Sequence, residues 1–382
     1  MYSFLEKGES MKKEPIRILQ CVSNMDRAGI ETMIMNFYRN IDRTKVQFDF
    51  IVNKSKPGDY DEEILALGGK IYKSPGLNPL KFFKYQRFMR NLFSEHPEYK
   101  VIHCQNEAMG YYALKAANDC KIPVRISHSH NTTTRKDLKY PIKIFCKNQL
   151  KKVANVLVAC SHAAGKYLFN EDVKVINNAI DTSKFIYNSE IRNKIRKKYN
   201  LQNKFVIGHV GRFEPQKNHE QLIRIFKEVN KINKDAILLL IGTGTLEEKI
   251  KEEIKNEKLE DYVIFTGGIS NVNEFYQAMD VFVLPSFHEG LPVVGIEAQT
   301  SGLPCVFSNT ITKEVKIINE VDFVGLDEDL DIWSETILKY KYLKRENKQK
   351  EMINAGYDIK ESSKSIENWY IELHNAKVIK WK

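Results

Sequence analysis

A chain of 382 residues, 42% hydrophobic and 28% charged, is long enough for two ordinary domains with sizeable cores and too apolar to be disordered. Its 59 Lys and Arg against 49 Asp and Glu leave a formal net charge of +10, which turns attention to anionic partners. No apolar run approaches the roughly 20 residues of a membrane-crossing helix. The opening MYSFLEKGES lacks the apolar core of a signal peptide.

Six cysteines scattered without a CxxC pair read as reduced thiols of a cytoplasmic protein, not as a disulfide frame. A second methionine, Met11, stands just before the first predicted strand, and residues 1–10 receive no role. From there apolar runs of strand length alternate with amphipathic helical stretches, the pattern of parallel α/β sheets. In the first half strands are predicted at IRILQCV, FDFIVN, KIY, VIHCQ, VRISHSH, NVLVAC and VKVINNAI.

The first strand runs into Ala28-Gly29-Ile30-Glu31, where a helix starts, and Glu31 suits the positive end of that helix dipole. Further on, NPLKFFKYQRFMRNLF (78–93) carries Lys81, Lys84, Arg87 and Arg90 with five aromatics and no acid, and the stretch 135–152 is similarly basic. Such stretches bind anionic lipid surfaces, or else turn their aromatic side onto their own sheet and leave the lysines in water. His103 ends the strand VIHCQ and reads equally well as a buried, satisfied histidine. RISHSHNTTT brings His128 and His130 to one face of a strand end. No nearby Cys or carboxylate completes a metal set with them. The polar, charged segment 181–200 is taken as the crossover to the second half.

There, strands are predicted at FVIGHVG, AILLLIG, YVIFTG, VFVLP and PCVFS. The first ends in GRFEPQKN, which places Arg212 and Lys217 at the carboxyl end of a strand, where open α/β sheets bind ligands. Arg offers a planar fork and Lys a point charge, and a diphosphate uses both. About seventy residues later VFVLPS leads into FHEGLPVVGIEA. Pro292 is expected in a first helical turn, with the amides of Gly290, Leu291 and Val293 free to meet a phosphate or a sugar hydroxyl. Glu297 then lies about two turns beyond Glu289 on nearly the same helix face, about 10–12 Å along the axis. A long ligand with an anionic middle and hydroxyls at both ends, such as a nucleotide sugar, fits that arrangement.

GRFEPQKN and HEGLPVVGIEA, with LLLIGTGTLEEKI and VIFTGG between them, resemble the donor half of family 4 glycosyltransferases, and the resemblance runs from Arg17 to about Trp369. It implies a retaining enzyme of α/β class with the GT-B fold, two Rossmann-like α/β/α domains facing a central cleft. The expected divisions are an acceptor-binding domain at 11–184, a donor-binding domain at 201–360, and a C-terminal helix, 361–382, crossing back to the first domain. By resemblance, His130, Arg212, Lys217 and Glu289 are catalytic. Gly29, Gly211, Arg212, Lys217, Gly242, Gly267, Glu289, Gly290, Leu291, Val293 and Glu297 bind the donor, with Glu297 on the ribose and Glu289 on the sugar. The family's first-domain loop usually has two glycines, and here Ala28 stands in place of one. With no DxD-type aspartate pair at a strand end, the cations and amides are expected to carry the diphosphate charge without a metal or other cofactor.

The implied function is transfer from a nucleotide sugar, UDP-linked by family habit, to a growing lipid-linked saccharide in bacterial surface polysaccharide synthesis. Exopolysaccharide and capsule enzymes are the most similar. A cytoplasmic location is expected, with the two basic stretches offering peripheral attachment to the inner face of the membrane. Two other readings compete with this one. Nucleotide-sugar 2-epimerases share the fold but lack this pairing of motifs. A basic nucleic-acid-binding protein would need a recognisable base-reading module, and none stands out, so no nucleic-acid partner is expected.

Overall fold

The computed structural model describes residues 14–77, 79–134 and 137–376. Two parallel sheets organise them. Strands β1 (Ile16–Val22), β2 (Val46–Val52), β3 (Ile71–Lys73), β4 (Val101–Cys104), β5 (Val124–Ser129), β6 (Val156–Ala159) and β7 (Lys174–Val175) form a seven-stranded sheet of order 3-2-1-4-5-6-7. Strands β8 (Phe205–Val210), β9 (Ala236–Ile241), β10 (Val263–Phe265), β11 (Val281–Leu284), β12 (Cys305–Ser308) and β13 (Val321–Val324) form a six-stranded sheet of order 10-9-8-11-12-13. Each sheet is flanked by helices, so both are Rossmann-like, with the reversal of strand order that opens a ligand-binding crevice at the carboxyl ends. Two compact units result. One holds the chain up to Ser127, Ile144–Val156 and the chain from Ser363 on; the other holds His128–Lys143 and Leu157–Ser362.

In the first unit β1 and β2 pair in register from Ile16 with Val46 to Val22 with Val52. The fully buried Asp49 is held by the Arg17 guanidinium, Nε to Oδ2 at 2.5 Å and Nη2 to Oδ1 at 2.6 Å, and by the Tyr99 hydroxyl at 2.7 Å. A buried carboxylate is tolerable only with such partners. The helix Ile359–Asn375 ends the described chain, and from Ser363 on it belongs to this unit. Its Tyr370 hydroxyl meets His103 Nδ1 at 2.6 Å and accepts from Gln20 Nε2 at 3.1 Å. Its Glu367 carboxylate accepts from the Asp42 amide at 2.8 Å. His103 is therefore a buried structural histidine.

In the second unit the strands read as continuous apolar runs because both faces of the sheet are covered. Along β9, Ala236, Leu238 and Leu240 enter one core while Ile237, Leu239 and Ile241 enter the other. In β11 Val281 and Val283 alternate with Phe282 and Leu284 in the same way.

One strand expectation is corrected in this unit, and two elements there were not foreseen. VKVINNAI keeps only Lys174–Val175 as strand. Beyond it the Asn177 amide donates to the Ala355 and Gly356 carbonyls, and Ile180 exchanges backbone bonds with Tyr357 and Ile359, so the chain leaves the sheet for that segment. The short edge strand β13 carries no strong sequence signal, its middle residues Asp322 and Phe323 being only half-buried. The polar crossover segment forms a helix, Ser189–Lys198, whose Arg192 and Arg196 both reach Asp280, Arg192 Nη2 at 2.5 Å from Oδ1.

Replacing Tyr370 by Phe takes one buried partner each from His103 and Gln20 and should cost about 1–3 kcal/mol of stability, read from urea unfolding. A change below a few tenths would mean that the Tyr370 hydroxyl takes no part in holding the final helix.

Candidate functional site

The site is built where β8, β9, β10 and β11 end. After β8 the chain turns through Gly211 and Arg212 into a single 3-10 turn, Pro215–Lys217, and then into the helix His219–Ile232. Asn218 sits between the two turns at φ 55, a left-handed conformation that Asn tolerates better than most residues. Its amide donates to the Pro285 carbonyl at 3.1 Å, and the Phe287 amide donates to the Gln216 carbonyl at 2.9 Å. Two loops distant in sequence are thereby strapped together.

Across that strap lie the charged groups. Lys217 Nζ stands 2.7 Å from Glu289 Oε1, with both side chains largely buried. Gln216 Nε2 donates to the His288 carbonyl at 2.9 Å and lies 3.3 Å from Glu289 Oε2. Arg212, by contrast, is exposed and makes no side-chain hydrogen bond or ion pair among the described residues. The two predicted cations are present together, but only Arg212 is unengaged. Gln216 was not singled out from the sequence, although it lies inside the GRFEPQKN motif next to Lys217.

The backbone around them needs glycine at particular places. Gly242, at φ 143, follows β9, and a Cβ there would run into the Gly211 carbonyl. Its amide donates to the Gly267 carbonyl at 3.0 Å, so the turns after β8, β9 and β10 form one connected rim. A Cβ on Gly290 would come within 2.5 Å of the His130 carbonyl oxygen, so the EGLP loop packs directly on the backbone of the His130 loop. By contrast, nothing lies within 4 Å of where a Cβ would stand on Gly267, or on Gly29 in the first unit.

The EGLP segment departs from its sequence reading. The helix is Val293–Thr300, with Pro292 as its N-cap in extended conformation at φ −73, ψ 106, not in the first turn. Of the three predicted amides only that of Val293 belongs to the helix start; Gly290 and Leu291 lie in the loop before it, and the Leu291 side chain is packed into the core. Glu289 is held in the loop by Lys217, so it shares no helix face with Glu297. The two carboxylates instead occupy different settings. Glu297 accepts from the Tyr276 hydroxyl at 2.9 Å, and burial pushes its carboxyl up to about 7 against the opposing pull of that hydrogen bond. Tyr276, on the helix Val272–Ala278, had no local sequence signal.

His130, just past β5, is buried, and its ring stacks on that of His128 with centroids 4.0 Å apart. Burial pushes its imidazole down to about 3, so the ring is neutral at physiological pH. His219, at the start of its helix, is pushed down to about 4 by burial and by the Lys217 charge, and its ring stacks on Phe213 at 4.3 Å. Among the described residues no three His, Cys, Asp or Glu side chains are grouped to hold a metal ion.

The first unit carries the basic stretch 78–93 and, from Ile144 on, that of 135–152, of which Asn78, Arg135 and Lys136 lie outside the described residues. The helix Phe82–Glu95 buries Tyr85, Met89, Leu92 and Phe93 and turns Lys81, Lys84, Arg87 and Arg90 outward. Most of its aromatic side is therefore core. Leu80 and Phe83 remain 95% and 84% exposed. Phe83 contacts Phe82, Phe82 contacts Tyr112, Tyr112 contacts Tyr111, and Tyr111 contacts Phe145, a run of rings spaced 5.3 to 6.1 Å apart.

With this geometry in place, comparison with known proteins defines the class. Residues 27–184 match the model of Glycosyltransferase Family 4 and residues 191–359 that of Glycosyl transferases group 1. A putative glycosyltransferase, EpsF, of Bacillus subtilis is 34% identical over 94% of this chain and 97% of its own length. An Escherichia coli enzyme named UDP-Gal:alpha-D-GlcNAc-diphosphoundecaprenol alpha-1,3-galactosyltransferase is 27% identical over 72% of this chain and 76% of its own. Among solved structures, Anabaena HepE in complex with UDP superposes with a TM-score of 0.76 at 16% identity, over 94% of this chain and 100% of HepE, which places the fold among GT-B structures. The chain belongs to the family 4 glycosyltransferases and is a glycosyltransferase.

Replacing Tyr276 by Phe removes the hydrogen bond that favours the charged form of Glu297, so its titration midpoint should rise further above 7. Carboxyl NMR titration reads this shift directly, and a midpoint that stays or falls would contradict the assignment.

Proposed function

We propose that the chain transfers a sugar, with retention of anomeric configuration and without a metal, from a UDP-linked donor to a lipid-linked saccharide in bacterial surface polysaccharide synthesis. The observation that carries this reading is the meeting of Lys217, Gln216 and Glu289 at the carboxyl ends of β8 and β11, with Arg212 on the same loop as Lys217 and the Val293 helix start soon after Glu289. UDP is favoured because it is the nucleotide bound in HepE and named in the E. coli relative. The same relative's undecaprenol-linked substrate supports a lipid-linked acceptor.

The chemistry follows from charge. Breaking the bond between sugar and diphosphate leaves added negative charge on the β-phosphate. Arg212, Lys217 and the Val293 amide would stabilise that charge as it develops, which lowers the barrier more than it tightens donor binding. Their combined positive potential takes the part that a divalent ion plays elsewhere. Glu297 would accept hydrogen bonds from the ribose, Glu289 from hydroxyls of the transferred sugar, and neutral His130 would contact that sugar without adding charge. The open backbone at Gly267 suits the base and that at Gly29 suits the sugar or diphosphate. Gly211 and Gly242 shape the rim, while Gly290 and Leu291 fix the loop that presents Glu289.

Either Arg212→Ala or Lys217→Ala should lower kcat at least 100-fold, about 2.7 kcal/mol of transition-state stabilisation, while UDP still raises the wild-type Tm in the presence of EDTA. Activity within threefold of wild type in both variants, or no shift with any nucleoside diphosphate, would sink the reading.

The exposed Leu80 and Phe83 beside Lys81, Lys84 and Arg87 also support peripheral attachment to an anionic membrane, where apolar side chains enter the headgroup region and lysines meet lipid charge. No helix among the described residues is long and apolar enough to cross a membrane. The protein should sediment with anionic liposomes at low salt, and Leu80→Ser with Phe83→Ser should reduce that at least fivefold. Failure of the wild-type protein to sediment ends this part of the proposal.

A further inference from the structure

The two cations of the donor site are not in the same state, and the difference has a mechanistic use. Arg212 is exposed and unengaged among the described residues, whereas Lys217 is already neutralised by Glu289 at 2.7 Å. Glu289 has a second anchor, because its other oxygen lies 3.3 Å from Gln216 Nε2, and that amide is itself fixed by the His288 carbonyl at 2.9 Å. The Lys217 stem lies against Gly211, where a Cβ would come within 3.2 Å of Cδ and Cε, so the glycine leaves room for the lysine beside the turn after β8.

Resting on the donor-site reading above, we infer that donor binding proceeds by ion-pair exchange. The diphosphate takes Lys217 from Glu289, and Gln216 is the positioning residue that keeps the released carboxylate in place to accept hydroxyls of the donor sugar. A diphosphate carries more charge than a carboxylate and draws Lys217 toward itself. Without a second anchor Glu289 would follow its cation or turn to water, and the sugar would lose its acceptor. The exchange also couples the two ends of the donor. Until a diphosphate arrives one Glu289 oxygen faces Lys217 and the other Gln216, so a free sugar must compete with both.

The inference separates binding from turnover in a way that mere structural support for the loop would not. Calorimetric titration with UDP, together with slow hydrolysis of whichever UDP-hexose the wild-type protein cleaves fastest in a panel, should be run on the full chain. In Glu289→Gln, UDP should bind at least threefold more tightly, because Lys217 is no longer engaged and a nearby negative charge is gone, while hydrolysis is lost. In Gln216→Met, which keeps the side-chain length and removes the donor, UDP affinity should stay within twofold while kcat falls at least tenfold. Gln216→Glu, which puts a repelling carboxylate next to Glu289, should lower kcat further still.

Unchanged or weaker UDP binding by Glu289→Gln overturns the exchange. So does wild-type turnover by Gln216→Met, or a parallel loss of UDP affinity and kcat in that variant with a lowered Tm. No nucleotide binding by the wild-type protein would instead remove the donor-site reading, and this inference with it.

Discussion

A lysine and a glutamate meet, both largely buried, where β8 and β11 end, and the local architecture follows from keeping them there. Partly buried charges are costly unless they are paired and hydrogen-bonded. Here each is supplied by a loop that could not hold its shape alone. The loop after β8 is a single 3-10 turn closed by a left-handed Asn218, and the loop after β11 is an extended run ending at Pro292. The Asn218 and Gln216 side-chain amides stitch one to the other by donating to the carbonyls of Pro285 and His288, so the pair sits on a frame of side-chain-to-backbone hydrogen bonds. Gly290 adds the third side of that frame by lying directly on the His130 carbonyl.

The electrostatics of the frame are graded. His130 and His219 are kept neutral by burial, Lys217 is neutralised by its partner, and Glu297 titrates near pH 7 beneath the Tyr276 hydroxyl. Arg212 is the cation left open to water. A site arranged in this way presents little standing charge to solvent and still holds a second cation that a strong anion can recruit. Under the function proposed above, that combination suits the compact, doubly charged centre of a nucleotide sugar.

Much of the fold was legible because buried parallel strands announce themselves as unbroken apolar runs, and FVIGHV, AILLLI and VFVL are of this kind. What escaped did so for identifiable reasons. β13 is a four-residue edge strand with a half-buried middle, and VKVINNAI has strand composition but spends its backbone bonds on residues 355–359. At the site, the two loops that the motifs occupy do meet through Lys217 and Glu289, since strand ends converge in a doubly wound sheet. The face shared by Glu289 and Glu297 was wrong, because helical spacing was applied to residues before the helix begins at Val293. Spacing along a chain describes geometry only inside a regular element.

The partners of the carboxylates explain why motif reading stops short of mechanism. Glu289 and Glu297 look equivalent as letters eight positions apart, yet one is paired with an ammonium and an amide and the other with a phenol. The first faces a cation and an amide, and in the exchange inferred above it gives up the cation and remains an acceptor. The second gains or loses a proton near neutrality, so its capacity to accept two hydroxyl hydrogen bonds depends on the solution. Tyr276 reaches Glu297 from a separate helix, and no pattern within the EGLP segment could have revealed it. The setting of each carboxylate is therefore decided by residues outside the segment that identifies them.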